Sequence, residues 1–326
     1  MNRRTFTLGL SCMAMALSMA STLAAAQDFA SKPITMVVGF AAGGATDTAA
    51  RIIAKKLGEN LGQSVLVDNR AGAGGNIAHQ QVANAAPDGS IILLGSVGPL
   101  CIAPHLVAKL PYDPQRDLAP LTMGVSFPNV LVVHAGVPAK NFAEFLALAK
   151  AKPGALDYAS TGVGSASHLA GEMFKQRAGV DIVHVPYKGG GPAMIDLLAG
   201  RITGYYSTPS TAGPHIESGK LRALAVTGLA RLPSMPNVPT IAESGFPGFD
   251  ATNWYAFVAP GKTPKAILDR WNTELVKVLN APDVRDALNK HGLTPMPGSR
   301  DELAATIKRE SVTWAKVIKD GKITAD

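Results

Sequence analysis

The sequence has very few cysteines and no recognisable metal-binding motif. Its two cysteines are Cys12 and Cys101, and Cys12 lies in an N-terminal segment that we expect to be removed. The mature chain would then keep one cysteine, which excludes an intrachain disulfide, and the apolar neighbours of Cys101 predict that it is packed. The seven histidines show neither an H-E-x-x-H pattern nor another paired spacing. No metal site and no other cofactor is therefore predicted.

Charged residues are also scarce, at 17%, whereas apolar residues make up 47% of the chain. This composition argues against a disordered or highly charged interaction protein and allows a sizeable core. Loss of Arg3 and Arg4 with the N-terminal segment takes the formal net charge from +7 to +5, which mildly favours anionic ligands. No basic run interleaved with aromatic residues occurs, so no nucleic-acid partner is predicted.

The N-terminal segment has the features of an export signal. Arg3 and Arg4 are followed by a run of Leu, Met, Ala and Ser and then by three alanines, Ala24–Ala26, which fit the small-residue cleavage pattern. We expect cleavage after about Ala26 and a periplasmic mature protein. The alternative is an uncleaved anchor helix, which the modest hydrophobicity of the run disfavours. No later run is long and apolar enough to span a bilayer.

Several motifs that would indicate an enzyme or a nucleotide-binding protein are absent. There is no G-x-x-x-x-G-K-[ST] loop and no G-x-S-x-G elbow. Gly162-Val163-Gly164 begins like a dinucleotide fingerprint, but Ser167 stands where the third glycine would be. Ser165 and His168 are close in sequence and leave an exported hydrolase-like enzyme as an alternative. His168 is more often a helix residue with a satisfied ring than a base.

The pattern of apolar runs and turn residues predicts an α/β fold. Near the N-terminus, strands predicted at 34–40, 64–68 and 91–95 alternate with helices, which favours a parallel sheet with helices on its faces. A second α/β unit follows a first crossing near residue 128, and a Pro- and Gly-rich linker, 233–248, returns the chain to the first unit. We expect one lobe from residues 27–127 plus 250–326 and a second from 128–249.

Two strand–turn–helix segments, Ile34–Ile53 and Leu156–Phe174, are the main functional signal. In each, small residues let a ligand approach the backbone closely. The helix that follows directs unpaired N–H groups and the positive end of its dipole at the turn. Such a turn binds an anion without a cationic side chain. We expect the two turns to face each other across a cleft and to share one small carboxylate.

A few single residues are weaker candidates. Asp47 is more simply a helix cap than a ligand contact, because its carboxylate would repel an anion. Lys188 could place an ammonium at the rim of the cleft or be a solvated loop lysine. Ser96 and Ser207 follow predicted strands and could line the same cleft.

Eight stretches spread over the mature chain resemble, in order, the substrate-binding proteins of tripartite tricarboxylate transporters, also called the Bug family. They are Lys32–Ile34 with Gly39–Asp47, Asn69–Ala78, Pro87–Gly89, Tyr158–Glu172, Val185–Ala193, Gly219–Thr227, Pro239–Gly248 and Trp254–Pro260. Two departures bear on the identity of the ligand. Ala41-Ala42 stand where family members often have proline, and Tyr205-Tyr206-Ser207 replaces a commonly more acidic segment.

The resemblance implies a type II periplasmic binding protein with two lobes, each a mostly parallel sheet flanked by helices, and a two-crossing hinge. It implies an extracytoplasmic protein that is not an enzyme. Such a protein carries a small organic carboxylate to a membrane permease of a large and a small subunit; we expect a monomer, and a sensor role for a membrane kinase is an alternative. The candidate ligand-binding residues are Phe40, Ala41, Ala42, Gly43, Gly44, Ala45, Asp47, Thr161, Gly162, Gly164, Ser165 and His168 from the resemblance, with Ser96, Lys188 and Ser207 added from their positions after strands or in a glycine loop.

Overall fold

The computed structural model describes residues 33–325. The predicted signal segment, 1–26, lies outside the described residues. The strands are β1 (Ile34–Val38), β2 (Val65–Asn69), β3 (Ile91–Ser96), β4 (Leu118–Pro128), β5 (Val130–His134), β6 (Asp157–Ser160), β7 (Val183–Pro186), β8 (Gly204–Ser207), β9 (Leu221–Val226), β10 (Thr252–Pro260) and β11 (Thr294–Pro295).

Helices cover both faces of the sheets. They are α1 (Ala45–Leu61), α2 (Asn76–Ala83), α3 (Ala103–Leu106), α4 (Phe142–Ala151), α5 (Ala166–Ala178), α6 (Gly190–Leu198), α7 (Pro209–Glu217), α8 (Lys265–Asn280), α9 (Pro282–Lys290) and α10 (Arg300–Gly321). A short π-helical turn, Gly98–Ile102, precedes α3. In the part of the chain that the structure describes, no helix is both long and apolar enough to cross a membrane.

The strands form two sheets, and the predicted α/β class is confirmed. The first sheet has the order β11-β4-β10-β3-β1-β2 and the second β7-β6-β8-β5-β9. Both sheets are mixed rather than mostly parallel: β1 pairs in parallel with β2 and β3, and β6 with β7 and β8, whereas the other pairings are antiparallel. The antiparallel strands include β4, β5, β9 and β10, which lead the chain out of the first sheet and back.

Two chain crossings join the sheets. The chain leaves the first sheet at Asn129, between β4 and β5, and returns between β9 and β10. Thr227 connects the crossings: its N–H donates to Asn129 O and its hydroxyl to Ala251 O, while the Asn129 N–H donates to the Thr227 hydroxyl, at 2.9–3.1 Å. The lobe division at 127/128 and 249/250 stays a prediction. The second boundary falls in the second crossing, and the first lies at the end of β4, just before Asn129.

Most helix starts follow from local sequence. Asn141 caps α4 through the Glu144 N–H, and Ser299 forms a capping box with Glu302. Helix α1 starts at Ala45 with Gly44 at the N-cap position, so Asp47 lies in the first turn of the helix and is not its N-cap residue. Sequence analysis missed helix α7, which contains Pro214, since an internal proline removes a helix hydrogen bond and normally argues against a helix.

Two large apolar clusters hold the molecule together. Trp271 on α8 is fully buried with Ile34 and Leu94 of the first sheet, as predicted, and its indole N–H donates to Gly89 O. Trp314 on α10 belongs to a cluster that also contains Phe174 of α5. Helix α10 therefore packs on the first sheet and also contacts the second lobe. Cys101 is buried with no disulfide.

We predict that Thr227→Val destabilises the fold, because valine leaves the buried Asn129 N–H and the Ala251 carbonyl without their hydroxyl partner. The free energy of unfolding in urea should fall by about 1–3 kcal/mol. The matched control is Thr273→Val on the exposed face of α8, where the hydroxyl bonds only Asp269 O of its own helix and the change should stay within about 0.5 kcal/mol. Equal losses of unfolding free energy in the two variants would show that the Thr227 hydroxyl contributes no more to stability than that of an exposed threonine.

Candidate functional site

A narrow cavity lies between the lobes and contains no charged side chain. Its volume is about 20 Å³, room for one water molecule. It is lined by Phe40, Gly44, Ala45, Thr46, Ser96, Asn129, Thr161, Ser165, Ala166, Ser167, Gly190, Tyr205, Tyr206, Thr208, Thr211, Asn253 and Tyr255. The lining is neutral, aromatic and rich in hydroxyl and amide groups, so any anion bound here is held by neutral donors.

Four helix N-termini meet at this cavity. The lining includes the first turns of α1 and α5, the first residue of α6, and Thr208 and Thr211 at the start of α7. Helices α1 and α6 approach each other closely, since a Cβ on Gly190 would lie 3.8 Å from Gly44 Cα. Each helix N-terminus carries a partial positive charge, so the cavity has a positive potential without a cation.

Unpaired main-chain donors lie in the first turns of α1 and α5. Within residues 33–325, no protein acceptor bonds the first two N–H groups of either helix, those of Ala45, Thr46, Ala166 and Ser167. The Ser165 hydroxyl caps the next donor of α5, the His168 N–H, at 3.3 Å. We call the first turns of α1 and α5 together the first anion site.

Most N–H groups of the loop before α5 donate hydrogen bonds to nearby side chains. The Gly162 N–H donates to Ser160 Oγ, the Gly164 N–H to His168 Nδ1, and the Thr161 N–H to Ser167 Oγ, at 3.0–3.2 Å. The donors of Gly162 and Gly164 are therefore not available to a ligand in this structure. The unpaired donors of this segment are therefore the N–H groups of Ala166 and Ser167 at the start of α5.

Two histidines brace this loop from behind. The rings of His168 and His184 stack with centroids 4.2 Å apart, and His184 Nε2 lies 2.6 Å from Ser160 Oγ. Since Ser160 Oγ accepts the Gly162 N–H, its own hydrogen is free to donate to His184 Nε2. Burial, with smaller contributions from His168 and Lys175, lowers the pKa of His184 to about 3. His184 is thus neutral near pH 7 and supports the loop as an acceptor.

Several buried polar atoms at the cavity have no partner among the described residues. They are Asn129 Nδ2 and Oδ1, Asn253 Oδ1, Tyr205 Oη and Tyr206 Oη. Burial raises the pKa of both tyrosines, so their hydroxyls are neutral donors. Unpaired buried polar atoms cost about 1–3 kcal/mol each, and their clustering at one cavity indicates a polar ligand.

The sequence candidates divide into two groups. Those that line the cavity are Phe40, Gly44, Ala45, Ser96, Thr161 and Ser165. Those that do not are Ala41, Ala42, Gly43, Asp47, Gly162, Gly164, His168, Lys188 and Ser207. Most residues of the second group lie in the loops that carry the lining residues. There they form turns, or make hydrogen bonds that hold the loops in place.

The contacts of the second group explain its position. The Asp47 carboxylate accepts the Gly43 N–H and pairs with Arg51. Burial raises the pKa of Asp47, but hydrogen bonds from Arg51, Gly43 and Asn69 together outweigh it, so the pKa lies below its ordinary value. The Lys188 side chain is exposed and only its carbonyl takes part, accepting the Ala41 N–H at 3.2 Å from the opposite lobe. Ser207 is fully buried and donates to its neighbour's carbonyl.

The residues that sequence analysis missed come from distant parts of the chain. Asn129 lies on the first crossing, Asn253 is the second residue of β10, just after the second crossing, and Tyr205, Tyr206 and Tyr255 lie on strands. No motif marks them. The one available signal was Tyr205-Tyr206, already noted as a departure from the expected pattern, just before the end of a strand.

The lining chemistry does not suggest a metal or a nucleophile–base pair. In the described ranges, no group of three His, Cys, Asp or Glu side chains is placed to hold a metal ion. The Ser165 hydroxyl contacts the His168 N–H and Ser167 Oγ, while His168 Nδ1 accepts the Gly164 N–H. Because that nitrogen is engaged with the main chain, it is not placed to activate Ser165.

Comparison with known proteins gives one family. Residues 49–323 match the model of the tripartite tricarboxylate transporter family receptor. The chain is 41% identical over 319 residues to a protein of the tcbD-tcbE intergenic region of Pseudomonas sp. strain P51, covering 97% of this chain and 95% of that one. It is 38% identical to protein BugT of Bordetella pertussis, covering 90% and 91%.

Two solved structures with ligands share the fold. A protein of R. palustris with adipate is 36% identical, with a TM-score of 0.87 over 90% of this chain and 98% of that one. MatC from Rhodopseudomonas palustris with bound malate is 33% identical, with a TM-score of 0.84 over 88% and 98%. Both likenesses cover most of the chain and therefore extend over both lobes.

We predict that acid destabilises the protein through two neutral histidines, the fully buried His79 and the partly buried His184. The unfolded chain binds protons near pH 6.5, whereas the pKa of His184 is about 3 and that of fully buried His79 about 4. The stabilisation is complete above pH 6.5 and is lost as the pH falls toward these values. For His79 alone the loss between pH 7.5 and pH 5 is about 2 kcal/mol.

Urea unfolding at pH 7.5 and pH 5.0 measures this loss. His184→Gln should reduce the pH dependence of the unfolding free energy relative to the wild type. An unchanged pH dependence in His184→Gln would contradict the assigned neutral state.

Proposed function

The chain belongs to the tripartite tricarboxylate transporter receptor family, and on that premise we propose that its interlobe cavity captures a small organic carboxylate for delivery to a membrane transporter. The supporting observation is the first anion site. Unpaired N–H groups from two helices, one in each lobe, point at one neutral cavity that also contains five unpaired side-chain atoms.

The site favours an anion over a neutral ligand for electrostatic reasons. The donors sit at positive helix ends, and the lining contains no carboxylate or cation. A hydrogen bond to a charged group is worth about 1.5–3 kcal/mol, roughly twice a neutral one. A carboxylate can accept several such bonds at once, from both lobes.

Binding involves opening and closure of the lobes. The cavity of about 20 Å³ is far below the ~300 Å³ at the lower end of small-molecule pockets. The ligand therefore enters a wider cleft and is enclosed as the lobes rotate about the crossings at Asn129 and Thr227. Closure of this kind is a common hinge motion in binding proteins.

The biological setting follows from the family and from the N-terminal sequence. We propose that residues 1–26 direct export, that the mature chain works in the periplasm as a monomer, and that its partner is a permease with a large and a small subunit. The ligand leaves chemically unchanged, since Ser165 and His168 lack the geometry of a catalytic pair. No observation favours the sensor alternative.

We expect organic acids to stabilise the purified mature protein. In a thermal-shift screen of mono-, di- and tricarboxylates, a ligand at about 100 times its Kd contributes about 2.7 kcal/mol, which should raise the Tm by about 5 °C or more. Mass spectrometry should recover the acid unchanged. No shift with any acid in the screen would overturn the proposal, and conversion of the acid would favour an enzyme.

We also predict that Ala166→Pro weakens binding without unfolding the protein. Ala166 is the first residue of α5, a position that accepts proline, and the extended Ser165 before it suits a following proline. The substitution removes one N–H of the first anion site, so calorimetry should show a loss of about 10- to 150-fold in affinity.

Lys265→Pro is the matched control for this substitution. Lys265 is the first residue of α8, is mostly exposed and lies away from the cavity. It should keep wild-type affinity. Unchanged affinity in Ala166→Pro would show that the main chain of α5 does not bind the ligand.

A further inference from the structure

Resting on the proposed function, we propose that the side chains of Asn129 and Asn253 select a carboxylate with a hydroxyl group on the adjacent carbon, a 2-hydroxy acid. The first anion site accounts for the carboxylate of the ligand, because its main-chain N–H groups are donors. The two asparagines add acceptor oxygens to the same cavity, and an acceptor requires a donor group on the ligand.

Both acceptor oxygens are buried and unpaired. Asn129 is 1% exposed and Asn253 is 7% exposed, and among residues 33–325 the Oδ1 atom of each has no hydrogen-bond partner. A buried acceptor without a donor destabilises the protein. Two such oxygens in the lining of one binding cavity therefore indicate a ligand that supplies a donor there.

The backbone fixes where these oxygens lie. The Asn129 N–H donates to the Thr227 hydroxyl and its carbonyl accepts the Thr227 N–H, both at 2.9 Å, so the main chain of Asn129 is held at the crossing. On β10 successive side chains point to opposite faces: Asn253 lines the cavity, whereas Trp254 packs in the apolar cluster behind it. Both amides thus belong to the cavity wall near the hinge.

Asn129 matches a hydroxyl and a carboxylate together. Its Nδ2 atom is unpaired as well as its Oδ1 atom, and a side-chain amide presents this donor and this acceptor side by side. A 2-hydroxy acid presents a carboxylate oxygen beside a hydroxyl hydrogen. The amide N–H can therefore donate to the carboxylate while the amide oxygen accepts from the hydroxyl. A carboxylate without the hydroxyl satisfies only the donor.

The electrostatics favour a hydroxyl over an ammonium as the donor. Four helix N-termini meet at the cavity, and its lining contains no carboxylate that could pair with a cation. An ammonium would be buried at a positive potential without a counter-ion, which is costly, whereas a hydroxyl is a neutral donor. A 2-oxo acid offers no donor at all, so it would place one more acceptor beside the two asparagine oxygens.

The test compares acids that share a carbon skeleton and differ only at carbon 2. Lactate, malate and 2-hydroxyglutarate, each as both enantiomers, are titrated into the mature protein by calorimetry beside their deoxy, 2-oxo and 2-amino analogues. On the skeleton that binds most tightly, the better enantiomer of the hydroxy acid should bind about 5- to 150-fold more tightly than its three analogues. The analogues leave a buried acceptor unpaired, which is an effective way to reject a ligand.

Asn129→Leu removes the donor and the acceptor at similar side-chain size. The ratio of hydroxy-acid to deoxy-acid affinity should fall to about one. Because the variant removes only unpaired side-chain atoms, the unliganded protein should be at least as stable in urea as the wild type. The matched control is Ala166→Pro, which removes a donor only; it should weaken both acids by the same factor and keep their ratio.

Asn253→Asp tests the role of the acceptor without removing it. The carboxylate keeps an acceptor oxygen and adds a counter-ion for an ammonium. The ratio of amino-acid to hydroxy-acid affinity should therefore rise about tenfold or more. An asparagine with a purely structural role would change both affinities together and leave this ratio unchanged.

The outcomes separate this inference from the proposed function. If no organic acid binds, the proposed function itself is wrong. If acids bind but a deoxy, 2-oxo or 2-amino acid binds as tightly as the hydroxy acid, or if Asn129→Leu keeps the hydroxy-acid preference, the asparagines do not select a hydroxyl. An acid of another skeleton found in the thermal-shift screen is compared with its own 2-hydroxy or deoxy analogue in the same way. Should Asn129→Leu fail to fold, the Asn253→Asp ratio decides.

Discussion

The structure depends on an electrostatic conflict between helix N-termini that meet across the cleft. Gly44 at the start of α1 and Gly190 at the start of α6 are in contact from opposite lobes, and both helix ends have the same sign of partial charge. The cavity lining contains no charged side chain, and the Asp47 carboxylate in the first turn of α1 is paired with Arg51. Without an anion, closure brings like charges together; with one, the same approach becomes attractive. In the proposed function, closure would therefore depend on the charge of the ligand between the lobes.

Close packing at the cleft explains why glycine is concentrated there. An added Cβ on Gly74 would lie 2.2 Å from the Val163 carbonyl oxygen of the other lobe, and one on Gly98 would lie 2.7 Å from that of Gly164. Neither contact leaves room for a side chain, and the positive φ of Gly74 also favours glycine. These glycines need not touch a ligand. They allow the backbones of the lobes to approach closely enough for donors from both sides to reach one small anion.

The sequence was informative where a local rule applied and uninformative where distant residues converge. The α/β class, the Asn141 and Ser299 caps and the helix start after Ser165 follow from local patterns. The donors of Gly162 and Gly164 were assigned to the ligand because nothing in the sequence shows that Ser160 and His168 already accept from them. Asn129, Asn253 and Tyr205 could not be identified, since their role arises only when crossings and strands meet at one cavity.

The position of the two asparagines links binding to motion. Asn129 lies on one crossing, hydrogen-bonded through its main chain to Thr227, and Asn253 lies at the start of β10, just after the other. Both have unpaired amide atoms at the cavity. Of these atoms only Asn129 Nδ2 is a donor, and a carboxylate that accepts from it removes a cost of about 1–3 kcal/mol at a residue about which the lobes rotate. The Oδ1 atoms of Asn129 and Asn253 are acceptors and need a donor group of the ligand. The ligand would thus neutralise the helix ends and complete the hinge at once, so the free energy of binding would favour the closed state through two independent sets of contacts.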